Sequence, residues 1–366
     1  MSPILTRLSS AGGGGTGGFS FGKKVLEVLV ESAPPEPFMV LTSKYQWLFV
    51  RSSGTVSYEI DWGDGTVENL TTNNAYHDYG SSGTYRTITI TPDPGSTFRP
   101  RWASQQYANT INSISGSGGT QLGTDLSNAF AGMSGGYDSG MTSFPSNFDV
   151  SHVTNFSTTW QNMSGLTSFP TLDVSSGTNF ASAWSGCSSL TSFPTLDVSN
   201  GTAFYGSWSG CYGLTSFPIL DISGGSLFFS SWNGCYGLTS FPLLNFSNAT
   251  SLYYSWAFCS GLTSFPQIDT SNVTELNSTW FACEALADFP LLDFSSVTDA
   301  TDAWFANALT AQSIENILVA LDNGGASNLS TSIAGGTSAA YSTWSSTAQT
   351  ALSNLQGKGW TVSYNT

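Results

Sequence analysis

The chain has 366 residues, with 9 Lys and Arg against 24 Asp and Glu, a formal net charge of −15, 9% charged residues and 14% aromatic residues. Disordered chains combine few aromatics with high charge, so this composition excludes disorder over most of the length and fits β-rich and repeat proteins. Residues 102–357 contain no Lys or Arg but fifteen Asp and Glu, a surface that repels phosphate backbones and anionic lipid, so neither a nucleic-acid partner nor membrane insertion is expected.

Residues 1–36 are rich in Gly, Ser and Pro and include four consecutive glycines, Gly12 to Gly15. Two readings stand: a disordered tail, or an arm that orders on a partner protein. No apolar run of seven or more follows Arg7, so no secretion signal is expected there. No stretch of the chain approaches eighteen apolar residues, so no transmembrane helix is expected.

Residues 37–92 alternate as strands do, in "FMVLTSKYQWLFVRS", "TVSYEIDWGDGTVENL" and "GTYRTITITP", with "DWGDGT" as a turn between two runs. Glu59, Asp61, Asp64 and Glu68 crowd this turn. A calcium site there is the alternative to a plain hairpin turn. The segment "YEIDWGDGT…HDYGSSGTYRTITI" resembles the polycystic-kidney-disease-type (PKD-like) immunoglobulin-like domain. The resemblance is carried by Trp62 to Gly65, His77 with Tyr79, and Gly83 to Tyr85. It implies a β-sandwich, here short, with any missing part supplied by the next zone. Residues 93–140 read as a transition with one or two strands, and residues 125–136, "DLSNAFAGMSGG", as a degenerate first repeat.

Seven repeats follow over residues 141–309, starting at Met141, Leu166, Leu190, Leu214, Leu238, Leu262 and Leu286, the first of 25 residues and the rest of 24. The consensus is L-T-S-F-P-x-L-D-x-S-N-x-T-x-x-x-x-x-W-x-x-C-x-x, and a fixed period of this length predicts a solenoid of stacked coils. It resembles the leucine-rich-like repeats of BspA-type bacterial surface proteins, which also occur in phage structural proteins. "IDTSNVTELNSTWFAC", residues 268–283, carries the likeness, with Trp where that family has Phe. In such a stack each repeat position becomes a ladder at strand spacing. The Leu, Phe and Trp columns read as core. The Asp column (Asp149, Asp173, Asp197, Asp221, Asn245, Asp269, Asp293) suggests either a file of calcium sites or a turn device; the turn is favoured, since Asn245 keeps the acceptor without the charge. All five cysteines fall in one column, with Met163 and Asn307 at its ends. Parallel neighbours lack disulfide geometry and two histidines are too few for zinc, so the cysteines read as free core residues.

Residues 310–366 break the period. "TAQSIENILVAL" and "STAQTALSNLQGKG" predict two helices, the second stopped by Gly357 or Gly359, and "WTVSYNT" a closing strand. The fold expected is thus mainly β: an Ig-like/PKD-like β-sandwich, then a leucine-rich-repeat-like solenoid with a helical C-terminal cap.

No nucleophile–base motif surrounds His77 or His152, no carboxylate pair stands out, and neither catalytic residues, metal ligands nor a cofactor are assigned. The columns that vary are the ones expected to face solvent. Tyr205, Phe229 and Tyr253 stand three residues before their Trp, and Tyr212 and Tyr236 one residue after their Cys. These five are the candidate ligand or partner surface, suited to sugar stacking or to protein contact; packing under the cap or against a neighbouring subunit is the plain alternative. The resemblances imply a non-enzymatic structural and binding protein on the surface of a phage particle, a capsid decoration, fibre or tail appendage. Its N-terminal arm would attach to other virion proteins and its solenoid would meet host-surface carbohydrate or protein. A bacterial cell-surface adhesin is the alternative, and homo-oligomerisation stays open.

Overall fold

The computed structural model describes residues 39–43, 47–80, 84–100, 113–115, 122–132 and 141–366. The expected arm, residues 1–36, lies outside them.

Five strands form one antiparallel sheet: β1 (Met39–Ser43), β2 (Trp47–Asp61), β3 (Val67–Asp78), β4 (Arg86–Pro92) and β5 (Ser113–Ser115), in the order β3-β2-β4-β1-β5. Alternation along β2 and β4 buries Val56, Tyr58, Ile60, Ile88 and Ile90 on one face. The described strands of residues 37–115 make a single sheet. Residues 37–92 supply four of them. The transition zone completes the sheet, with β5 pairing β1, and also covers it: Phe98 packs edge-on to Tyr58 at 5.5 Å, in one core with Leu122, Leu126 and the repeats beyond.

The "DWGDGT" hairpin joins β2 to β3. Asp61 accepts the Gly63 N–H at 2.8 Å and Asp64 accepts the Thr66 N–H at 3.0 Å. Gly63 has φ +74°, and a Cβ built there would lie 2.2 Å from the Thr87 carbonyl oxygen, so glycine is required on both counts. Two of these acids also bond side chains: Glu68 accepts the Trp62 indole N–H at 2.6 Å, and Asp64 meets His77 Nε2 at 2.8 Å. His77 stacks on Trp62 at 4.9 Å, Tyr79 donates to the Trp62 carbonyl at 2.8 Å, and the Arg86 guanidinium sits 4.1 Å over the Tyr79 ring. The separated Trp-Gly-Asp-Gly and His-x-Tyr motifs are therefore one cluster.

The repeats stack as parallel coils. A bridge runs from Asp125 through Asn155, Asn179, Ala203, Leu227, Ser251 and Glu275 to Asp299, one step per coil. Residues 122–132 thus belong to the stack despite lacking Pro and Trp. In the second coil the N–H groups of Phe180, Ser182, Trp184 and Gly186 donate to the carbonyls of Ala203, Tyr205, Ser207 and Ser209 in the third, at 2.7–2.9 Å. The intervening N–H groups close three-residue turns, as Ala183 does to Phe180 at 3.0 Å. The arcs are chains of overlapping turns rather than strands, because each coil places two residues in the left-handed region. In the second coil these are Ser182 (φ 54°) and Gly186 (φ 75°), and in the fifth Tyr254 (56°) and Phe258 (63°).

Hydroxyls and thiols tie neighbouring coils together. Thr178 and Thr202 donate Oγ1 to Thr154 and Thr178 carbonyls at 3.2 Å. Each cysteine is free and buried, and its Sγ donates to the Trp carbonyl of the preceding coil, Cys211 to Trp184 at 3.3 Å. Burial pushes the Cys187 thiol up to about 12, so thiolate chemistry is suppressed. In the Asp column the carboxylate accepts both the N–H and the Oγ–H of the Ser two residues on, in Asp221 at 3.1 and 2.6 Å, and Asn245 accepts the Ser247 N–H at 3.0 Å.

The interior is aromatic. From Trp160 to Trp304 the indoles stack 5.3–5.9 Å apart, within 4–13° of parallel. Each of the first six takes the next coil's Phe edge-on at 4.8–4.9 Å. All seven indole N–H groups are buried without an oxygen or nitrogen partner, so ring packing alone holds them.

Helix α1 (Ala311–Gly324) covers the last coil. Thr310 caps it through the Ser313 N–H at 3.2 Å, and Ser313 Oγ donates to the Ala287 carbonyl at 2.8 Å. Strand β6 (Ser330–Ser332) carries the ladder one step further, with Trp304 N–H donating to Ser332 at 3.2 Å. Helix α2 (Ser346–Gly357) and strand β7 (Thr361–Ser363), parallel to β6, close the end. Gly359 (φ 83°) makes the turn between them, and Lys358 meets Asp322 of α1 at 2.6 Å.

Candidate functional site

The five candidate residues sit on backbone that is already fixed. The carbonyls of Tyr205, Phe229 and Tyr253 accept the N–H groups of Ser182, Gly206 and Ser230 in the preceding coil, at 2.8–3.0 Å. Those of Tyr212 and Tyr236 accept Gly237 and Gly261 of the following coil at 3.1 Å. A Cβ at Gly261 would lie 2.6 Å from the Tyr236 carbonyl oxygen, so the glycine permits this bond. The Tyr212 ring lies over the glycine backbone: its Cε1 is 3.7 Å from a Cβ built at Gly210 and 3.5 Å from one at Gly234.

The side chains pair within their columns. Tyr205 stacks on Phe229 with centroids 4.7 Å apart and planes 10° from parallel. Tyr212 stacks on Tyr236 at 5.0 Å and 17°. Tyr253 does not join the first pair; it meets Tyr254 at 4.6 Å and 61°, because Tyr254 is one of the left-handed residues and its ring turns toward its neighbour. Tyr212, Tyr236 and Tyr253 are 50%, 48% and 41% exposed, while Tyr205 and Phe229 are half-buried.

The stacking decides what the columns present. A ring stacked on its neighbour has one face occupied, so within each pair the inner faces are closed. Sugar stacking needs an open ring face.

Several exposed apolar residues escaped the sequence reading. Leu227 and Phe258 lie on the same arcs as the candidates. Ile219, Leu243 and Leu291 form another column, the first of them 72% exposed. The column of Thr171, Thr195, Ile219, Leu243, Gln267 and Leu291 changes identity from coil to coil. The variability that singled out Tyr205 and Tyr212 applied equally there.

Among the described residues no group of three or more His, Cys, Asp or Glu is placed to hold a metal ion, and no helix is long and apolar enough to cross a membrane. The chain matches no protein-family model, no curated protein and no solved structure.

Proposed function

We propose that the chain is a non-enzymatic surface protein of a bacteriophage particle, a capsid decoration, fibre or tail appendage. In this reading a PKD-like domain spaces, a leucine-rich-repeat-like solenoid projects, and residues 1–36 attach to other virion proteins. The observation that carries it is the contrast between filled interior and variable exterior. From the second to the sixth coil the inner columns repeat Leu, Phe, Trp and Cys without change, and the thiols inside have raised pKa values. Other buried columns vary only as core filler, as Val198, Ile222 and Phe246 do, whereas the outward residues change between small polar, aromatic and acidic on fixed backbone. Such a scaffold supports recognition rather than turnover.

The test is peptide mass spectrometry on purified virions with immunogold localisation, followed by trypsin treatment. Trypsin sites fall at or before Arg101 and at Lys358, so particles should shed a fragment beginning near Trp102. Recovery of the protein in a cell-wall fraction but not in particles defeats the virion reading in favour of an adhesin. Retention of the fragment after complete cleavage defeats the arm as sole anchor.

A further inference from the structure

We propose that the outer arcs of the third to seventh coils dock a basic protein surface, not a glycan. The proposal rests on the binding role above and names its partner class. Three observations carry it.

The first is ring orientation. With Tyr205 stacked on Phe229 at 4.7 Å and Tyr212 on Tyr236 at 5.0 Å, the arcs carry pre-stacked rings, with Tyr212 and Tyr236 exposed, in a sequence otherwise rich in Ser and Gly. This mixture of rigid Tyr with small polar residues is how protein-recognising surfaces are built. Platforms for sugar rings need free faces, and the pairing closes one face of each of these four rings. The second is apolar extent: Leu227, Tyr253 and Phe258 remain 42%, 41% and 39% exposed on the same arcs, continuing the patch over three consecutive coils.

The third is charge. Two coils on, the same columns turn acidic. Glu275 stands where Leu227 does and Glu284 where Tyr236 does, each 48 residues later; Asp299 and Asp302 follow in the seventh coil. Glu275, Glu284 and Asp302 are exposed. No Lys or Arg occurs between residues 102 and 357 to balance them. An aromatic patch that runs into carboxylates is complementary to a partner presenting Lys or Arg beside apolar side chains, and it repels an acidic one.

The experiment titrates the full-length protein with three probes: a dodecapeptide alternating Lys and Tyr, its Glu/Tyr counterpart, and neutral glucan and chitin hexasaccharides. The basic peptide is expected to bind and to weaken with salt, while the acidic peptide and the sugars do not bind. E275Q/E284Q should weaken the basic peptide about tenfold, and Y212S/Y236S should weaken it as well. The control D173N/D197N removes two charges from the Asp column and should change nothing; near-UV circular dichroism confirms folding of each variant. Binding of a hexasaccharide that Y212S/Y236S abolishes overturns the proposal. So does equal weakening by D173N/D197N, which would mean undirected attraction, or self-association of the protein lost in Y212S/Y236S. Absence of the protein from virions would defeat the functional reading alone and leave the peptide result standing.

Discussion

The sheet and the coil stack solve the same problem, burying a β-rich backbone, by different means. The sheet is organised by one cluster: Trp62, Asp64, Glu68, His77 and Tyr79, from the β2–β3 turn and both ends of β3, bind one another through hydrogen bonds and stacking. The stack has no such centre. It repeats small contacts, a threonine hydroxyl here and a thiol there, and its ion pairs lie at its two ends, Arg99 with Asp125 and Lys358 with Asp322. A cluster concentrates stability at a few residues; a ladder spreads it, so that any one rung is replaceable while the central column is not. The same spreading leaves the outer residues free to vary.

The comparison breaks most sharply at the Trp column. Trp232 is fully buried between Trp208 and Trp256, and W232A should cost about 3–5 kcal/mol, measured by urea unfolding. Because coils contact only their neighbours, loss of the fourth coil should also separate the transitions of the two halves of the stack. Next comes the sheet. G63A forces a side chain into the left-handed region against the Thr87 carbonyl and should cost about 2–3 kcal/mol. It should unfold the sheet while leaving the indole N–H resonances of the stack in place.

Acid distinguishes the two regions by partner. The hydrogen bond from His77 holds the Asp64 carboxyl below its usual range. A depressed carboxylate contributes stability above the unfolded pKa near 4 that is lost as pH falls through the folded value. The Ser hydroxyls act in the same direction on Asp197, Asp221 and Asp269. H77Q should therefore shrink the acid dependence of the sheet and leave that of the stack unchanged, followed by the Trp62 indole signal against those of Trp160 to Trp304. The smallest effect is expected from D221N. Asn245 already performs this turn with its amide oxygen, so the change should stay within about 0.5 kcal/mol in thermal unfolding.

Much of this was legible in the sequence. The 24-residue period announced stacked coils, Asn245 among aspartates announced an acceptor role, and five cysteines in one column announced free thiols. What period alone does not reveal is direction. Nothing in the repeat pattern says that the hydroxyls of Thr178 and Thr202 bond the preceding coil. Tyr205 and Phe229 read as platforms, yet at one-coil spacing like rings fall onto each other's faces. The left-handed backbone of Ser182 and Tyr254 carries no sequence mark as that of Gly186 does. The place of β5 had no local mark either: it comes from beyond residue 92, and its pairing with β1 across that distance is set by packing.

The central claim is that one continuous ladder, not a set of independent coils, holds the molecule from residue 122 to its cap. Native-state hydrogen exchange tests it directly at the backbone N–H groups of the Trp column, which donate coil to coil from Trp160 to Trp304. The account predicts that Trp184, Trp208, Trp232 and Trp256 exchange together and slowest in the molecule, with protection falling toward both ends. Protection that differs from coil to coil in the middle of the stack, or that is greater in the sheet than in the stack, would contradict it.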